Sequence, residues 1–207
     1  MDHVEQSVAK FLENLAARTP TPGGGSASAL GGAVGAALGS MAAAFTSGER
    51  FKAVESHVAR ISNELAALRQ RFVELAQKDV DAYSRYTEAR ALPKNNTAEK
   101  QARRAAVEAA REAATAVPEQ TVAAAMAGLG LIEELCAIAN PRLASDVASA
   151  AYFLEAAARG AGIQVLANCP EDDTKETSVR RRAAVTEQIA ACEAARERIH
   201  ATVTKRL

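Results

Sequence analysis

A chain of 207 residues with 25 basic and 25 acidic side chains, 48% apolar and 4% aromatic, is sized for one soluble domain, and its balanced charge offers no field for a nucleic-acid backbone or an anionic membrane. About fifty alanines, no tryptophan, and glycine and proline gathered in a few places call for a core of small side chains on helices, which excludes an all-β fold. Cys136, Cys169 and Cys192 lack CxxC spacing and lie far in sequence from His3, His57 and His200, so no zinc site is expected, and an odd thiol count without a secretory signal suits the cytoplasm.

Val4, Val8, Phe11 or Leu12, and Leu15 mark a first amphipathic helix that ends before Thr19-Pro20-Thr21-Pro22. Gly23 to Ser47 carries no charge and exceeds the roughly 20 residues that cross a bilayer. Its sizeable apolar groups are only Leu30, Val34, Leu38, Met41 and Phe45, so insertion gains little. The stretch reads instead as a fully buried central helix, with Gly31, Gly35 and Gly39 forming a smooth stripe for a close neighbour.

A long third helix, from about Phe51 to Ala91, carries Val54, Val58, Ile61, Leu65, Leu68, Phe72 and Leu75 at steps of four and three, the seam spacing of antiparallel helices. Leu92-Pro93-Lys94 ends it. Thr97 is placed to cap a fourth helix reaching about Ala116, and Pro118 suits the first turn of a fifth reaching about Ala139. Asn140-Pro141 breaks the chain. Ser145 and Asp146 open a sixth helix that is expected to stop at Gly160 to Gly162, and a non-helical piece from Ile163 to Asp173 leads to a last helix from about Thr174. The expected fold is all-α: a single-domain antiparallel helical bundle over residues 1–207, with a buried glycine/alanine-rich central helix.

Two features stand out from this background. Pro22-Gly23-Gly24-Gly25-Ser26 directly precedes the uncharged helix, where bare backbone and first-turn N–H groups can hold a carboxylate or phosphate. No lysine follows to make a Walker loop, and a tight entry turn capped by Ser26 explains the same residues. The second feature is Asp79. Continuing the seam beyond Leu75 puts residues 79, 82 and 86 inward, so Asp79 takes a place meant for an apolar side chain, while Asp81 falls off the seam. An inward carboxylate costs several kcal/mol unless it is paired or faces a cavity. Either an ion pair with a neighbouring helix or a working site accounts for it. Tyr83 and Tyr86 can stack on a flat ring, Lys94 follows the Pro93 break, and Asp146 is a second acid among apolar neighbours, where a plain helix-start role is the competing account.

Three segments together, Thr19 to Ser26, Asp79-Val-Asp-Ala-Tyr83 with Leu92-Pro93-Lys94, and Asn140 to Asp146, resemble the cyclodeaminase/cyclohydrolase family of folate enzymes, in the family's order and over most of the chain. The chain departs from the family pattern at Glu49-Arg50, where lysine is common, and at Gln164, where asparagine is common. The resemblance implies an all-helical homodimer with a folate derivative bound in a cleft as substrate. No metal, and no cofactor beyond that tetrahydrofolate substrate, is implied; nor is a membrane or nucleic-acid partner.

The implied reaction is hydrolysis of 5,10-methenyltetrahydrofolate to 10-formyltetrahydrofolate. Asp79 would draw the cation and take a proton from water, and Lys94 would shuttle it. Asp146 would hold the donor edge of the pterin, with Tyr83, Asn140 and Ser145 completing the binding residues, and Gly23 to Ser26, entered through Pro22, would bind ligand oxygens. Formiminotetrahydrofolate cyclodeamination, which forms the same methenyl cation with loss of ammonia, is the alternative; the absence of a transferase portion in the chain favours the hydrolase. A reading of another class is a non-catalytic bundle whose glycine stripe joins two subunits.

Overall fold

The computed structural model describes residues 6–206, and among them the ordered elements are helices, with no strand. Helix α1 spans Val8–Ala16 and opens on Ser7, whose Oγ accepts from the Lys10 N–H at 3.2 Å. The expected start at Val4 lies outside the described residues. Helix α2 spans Gly24–Ala44, α3 Glu55–Ala91, α4 Thr97–Ile138, α5 Ala144–Asn168 and α6 Glu176–Thr204. A 3-10 turn over Glu49–Val54 precedes α3, after Gly48 at φ +88°, a conformation that favours glycine.

Helix α2 is flanked by α3 and α5, both antiparallel to it, and glycines set the spacing. A Cβ on Gly25 would fall on the carboxyl of Asp79, one on Gly32 would lie 2.5 Å from the Phe72 ring, and one on Gly39 would be 3.0 Å from Leu65. Each step of seven residues along α2 matches a step of seven backward along α3. Three notches in one helix therefore receive three side chains of the other, and the inward position of Asp79 follows from the same register that buries Phe72 and Leu65. On the α5 side, Gly35 meets Leu154 and the Ala150 carbonyl, and Gly160 meets Ser28.

The stripe differs from the expected one. Residues four apart on a helix drift by about 40° per step, so Gly31 turns toward open space while Gly32 takes the contact. For the same reason α2 is not fully buried: Val34 is 45% exposed and Met41 36%. The core instead lies below α2, where Ile61, Leu65, Phe72 and Leu75 of α3 pack with Leu129, Ile132 and Leu135 of α4, Leu154 of α5 and Ile199 of α6. The buried carboxylate of Glu155 is clamped by Arg159 at 2.8 Å and Arg196 at 2.9 Å, fastening α6 to α5.

Two expected breaks are absent. The fourth and fifth helices are one element, α4, with Pro118 inside it. The Asn168 side chain reaches the carbonyl that Pro118 cannot serve, donating from Nδ2 to Ala114 O at 3.5 Å. Asn96, one residue before Thr97, is the cap: its Oδ1 accepts from Glu99 N–H at 2.9 Å, and Glu99 Oε2 accepts from Asn95 N–H at 2.7 Å. Likewise α5 passes through Gly160 and Gly162 to Asn168, because those glycines admit Ser28 and the Ile189 side chain rather than end the helix.

Candidate active site

Where the start of α2 meets α3, α4 and α5, a cleft of about 340 Å³ opens. Its walls follow helical spacing: Asp79, Tyr83 and Tyr86 from α3, Arg111, Ala114 and Pro118 from α4, and Gln164 and Asn168 from α5. That size suits a ring system held among a few convergent polar groups.

Asp79 is fixed by α2. The residue before that helix is Gly23, which has no side chain to cap the first-turn N–H groups. Asp79 serves instead: Oδ2 accepts from the Ser26 N–H at 2.9 Å and from Ser26 Oγ at 2.8 Å. Ser26 is buried, and Gly25 must lack a Cβ for the carboxyl to arrive. Burial pushes the Asp79 carboxyl above its ordinary value of 3.8, against the two Ser26 donors, which favour the charged form. No arginine or lysine pairs with it among the described residues. A half-buried carboxylate with one oxygen tied and the other free beside a cleft can attract a cation and accept a proton.

Around it, the rings of Tyr83 and Tyr86 stand 6.5 Å apart, and the Arg90 guanidinium lies 5.9 Å from the Tyr86 ring centre. On the opposite wall Arg111 pairs with Asp173 Oδ2 at 3.2 Å and with Glu108 at 3.2 Å. Asp173 also receives the Ser178 hydroxyl at 2.9 Å, and these bonds hold the α5–α6 connection against the end of the cleft. A groove of about 490 Å³ between α3 and α4 is roomier, but its acids are engaged: Glu64 with Arg60 at 2.8 Å and Glu134 with His57 at 2.9 Å.

The other expected site residues divide into two groups. Gly24, Gly25 and Ser26 stand at the cleft, with Gly24 against the Gln164 amide and Gly25 and Ser26 against the Asp79 carboxyl, and Tyr83 lines it, while Pro22 and Gly23 lead into that turn and do not line the cleft. Lys94 does not. It lies in the exposed α3–α4 connection, beyond the end of a helix that runs roughly 18 Å past Asp79. Asn140, Ser145 and Asp146 sit at the other end of α5, roughly 27 Å from Gln164. There Asn140 Nδ2 donates to Phe45 O at 3.1 Å and its backbone N–H to Thr46 Oγ1 at 3.0 Å, which ties the α4–α5 turn to the end of α2. Asp146 lies in the first turn of α5. Within one chain these three do not meet Asp79.

Arg111, Ala114, Pro118 and Asn168 are cleft residues that the sequence reading passed over. Both helix breaks expected there, at Pro118 and at Gly160 to Gly162, hid the spacing: 111, 114 and 118 share one face of an unbroken α4, as 164 and 168 share one of an unbroken α5.

Residues 7–190 match the sequence model described as formiminotransferase-cyclodeaminase. The methenyltetrahydrofolate cyclohydrolase of Methylorubrum extorquens is 32% identical over 98% of both chains. The formimidoyltransferase-cyclodeaminase of Sus scrofa is 33% identical over 83% of this chain, but the match spans 32% of that longer protein. A crystal structure of the formiminotetrahydrofolate cyclodeaminase of Thermotoga maritima superposes with a TM-score of 0.79 at 28% identity, covering 98% of this chain and 96% of that one.

Proposed function

The chain belongs to the formiminotransferase-cyclodeaminase family, and on that premise we propose that it hydrolyses 5,10-methenyltetrahydrofolate to 10-formyltetrahydrofolate with Asp79 as general base. The observation that carries the reading is the Asp79 carboxylate itself: unpaired with any cation among the described residues, held by Ser26 and facing a ring-sized cleft. The full-length similarity to a cyclohydrolase supports the choice of reaction.

The substrate is an amidinium cation, so the carboxylate favours its binding with the bridge carbon close by. Water adds to that carbon and gives a proton to Asp79, leaving a neutral carbinolamine. The bond from carbon to N5 then breaks as N5 takes the proton back from Asp79. The hydroxyl proton leaves to solvent, and the carbon remains on N10 as a formyl group. One proton is released overall, and water is the only co-reactant. Tyr83 and Tyr86 supply ring faces for the pterin, and the first-turn N–H groups of Gly24 and Gly25 supply donors for the carboxylate oxygens of the substrate's glutamate tail.

The test is loss of methenyltetrahydrofolate absorbance above the buffer-catalysed rate. Asp79→Asn should lower turnover at least about a hundredfold with helicity unchanged; an equal rate in the variant removes Asp79 as base. The Thermotoga maritima structure favours one further assay, release of ammonia from formiminotetrahydrofolate. Ammonia released faster than the methenyl compound is hydrolysed would reverse the assignment of reaction.

We also propose that a second copy of the chain covers the outer face of α1 and α2. Leu12 is 56% exposed there beside Val34, and the two line an apolar groove with Leu30. So much exposed aliphatic surface on adjoining helices marks an interaction face, and an uncharged, small-residue helix can pack against its own copy across a two-fold axis.

A further inference from the structure

In an α-helix the carbonyl of residue 114 belongs to the N–H of residue 118, and here residue 118 is a proline without one. Proline is the least favoured residue in a helix interior, yet α4 runs on through it. The Ala114 carbonyl has instead the Asn168 Nδ2 donor at 3.5 Å, the far limit of a hydrogen bond. A carbonyl oxygen has two lone pairs, so a strong acceptor is left under-used. Its position is telling: Ala114, Pro118 and Asn168 all line the cleft across from Asp79.

We infer that the Ala114 carbonyl, released by Pro118, and the Asn168 carboxamide recognise the 2-amino-4-oxo edge of the pterin, the carbonyl accepting from the 2-amino group. This rests on the cyclohydrolase reading and adds to it which edge of the ring faces α4 and α5 while the one-carbon bridge faces Asp79. A pterin edge presents adjacent N–H donors beside a carbonyl acceptor. A backbone oxygen and a carboxamide with one N–H and one oxygen still free supply the two acceptors and one donor that those groups require. Asp146, the acid first expected to hold this edge, is at the opposite end of α5.

Calorimetric titration with folic acid, and with its analogue carrying oxygen in place of the 2-amino group, tests the inference. The wild-type protein should prefer folic acid by about tenfold or more. Pro118→Ala restores the missing N–H to the Ala114 carbonyl. It should raise the melting temperature, raise KM for the methenyl substrate several-fold with kcat within about threefold, and narrow the preference below about threefold. Asn168→Ala, which leaves α4 untouched, should narrow it as well and stands in if Pro118→Ala does not fold. A preference kept intact in whichever variant folds overturns the inference, as does a wild-type protein that binds both compounds equally while still hydrolysing the methenyl compound. A wild-type protein that neither binds folic acid nor hydrolyses methenyltetrahydrofolate overturns the cyclohydrolase reading and this one with it.

Discussion

Asp79 combines two demands on one carboxyl. Its ionised form completes the first turn of α2 through Ser26, while burial favours the neutral form and wins, lifting the carboxyl above 3.8. Because the base works only when ionised, kcat/KM should fall as pH drops through that raised value, and the limb should lie above 3.8; a pH profile that is flat until 3.8 would contradict it. Stability should move the other way. Between 3.8 and the raised value the native state binds the Asp79 proton more tightly than the unfolded chain does, so the group's contribution is present at low pH and lost as pH rises through the folded value. Urea melts of wild type and Asp79→Asn should therefore favour the variant at neutral pH and converge near pH 3. At this scale the sequence was informative for Asp79, whose inward phase follows from Leu65, Phe72 and Leu75. It was uninformative for Arg111 and Asn168, whose partners Asp173 and Ala114 lie more than fifty residues away.

Among the elements, glycine means two different things. Gly32 lies in the interior of α2, where alanine would favour the helix by about 1 kcal/mol, but a Cβ would lie 2.5 Å from the fully buried ring of Phe72. Overpacking costs about 1–3 kcal/mol and outweighs the propensity, so Gly32→Ala should lower the denaturation midpoint. Gly130 in α4 has nothing within 4 Å, and there Gly130→Ala should raise the midpoint by about 0.5–1 kcal/mol in stability. Opposite signs are the expected calorimetric result, and equal signs would refute the notch account of α2 and α3. The same distinction explains the misread helices. Local rules read Gly160, Gly162 and Pro118 as punctuation, whereas Ser28, Ile189 and Asn168, brought close by packing, make each tolerable inside a helix.

For the whole molecule, the all-α class and the order of the long helices were legible, since period and composition are properties of the chain alone. The distance between the Asp79 cleft and the Asp146 end was not, because it depends on which way α5 runs past α2. The uncovered face of α1 and α2 gives the prediction at this scale. Val34→Glu should leave the chain folded and monomeric by sedimentation, whereas wild type should sediment as a dimer; a variant that stays dimeric would move the interface elsewhere.

The seven-residue matching of Gly25, Gly32 and Gly39 with Asp79, Phe72 and Leu65 has a consequence for how such a bundle diversifies. The acid is indexed by the two hydrophobic teeth beneath it, as a gear is set by those already meshed. Descendants are free to recut the opposite wall for a new heterocycle, but none can shift the acid along its axle without stripping the whole train.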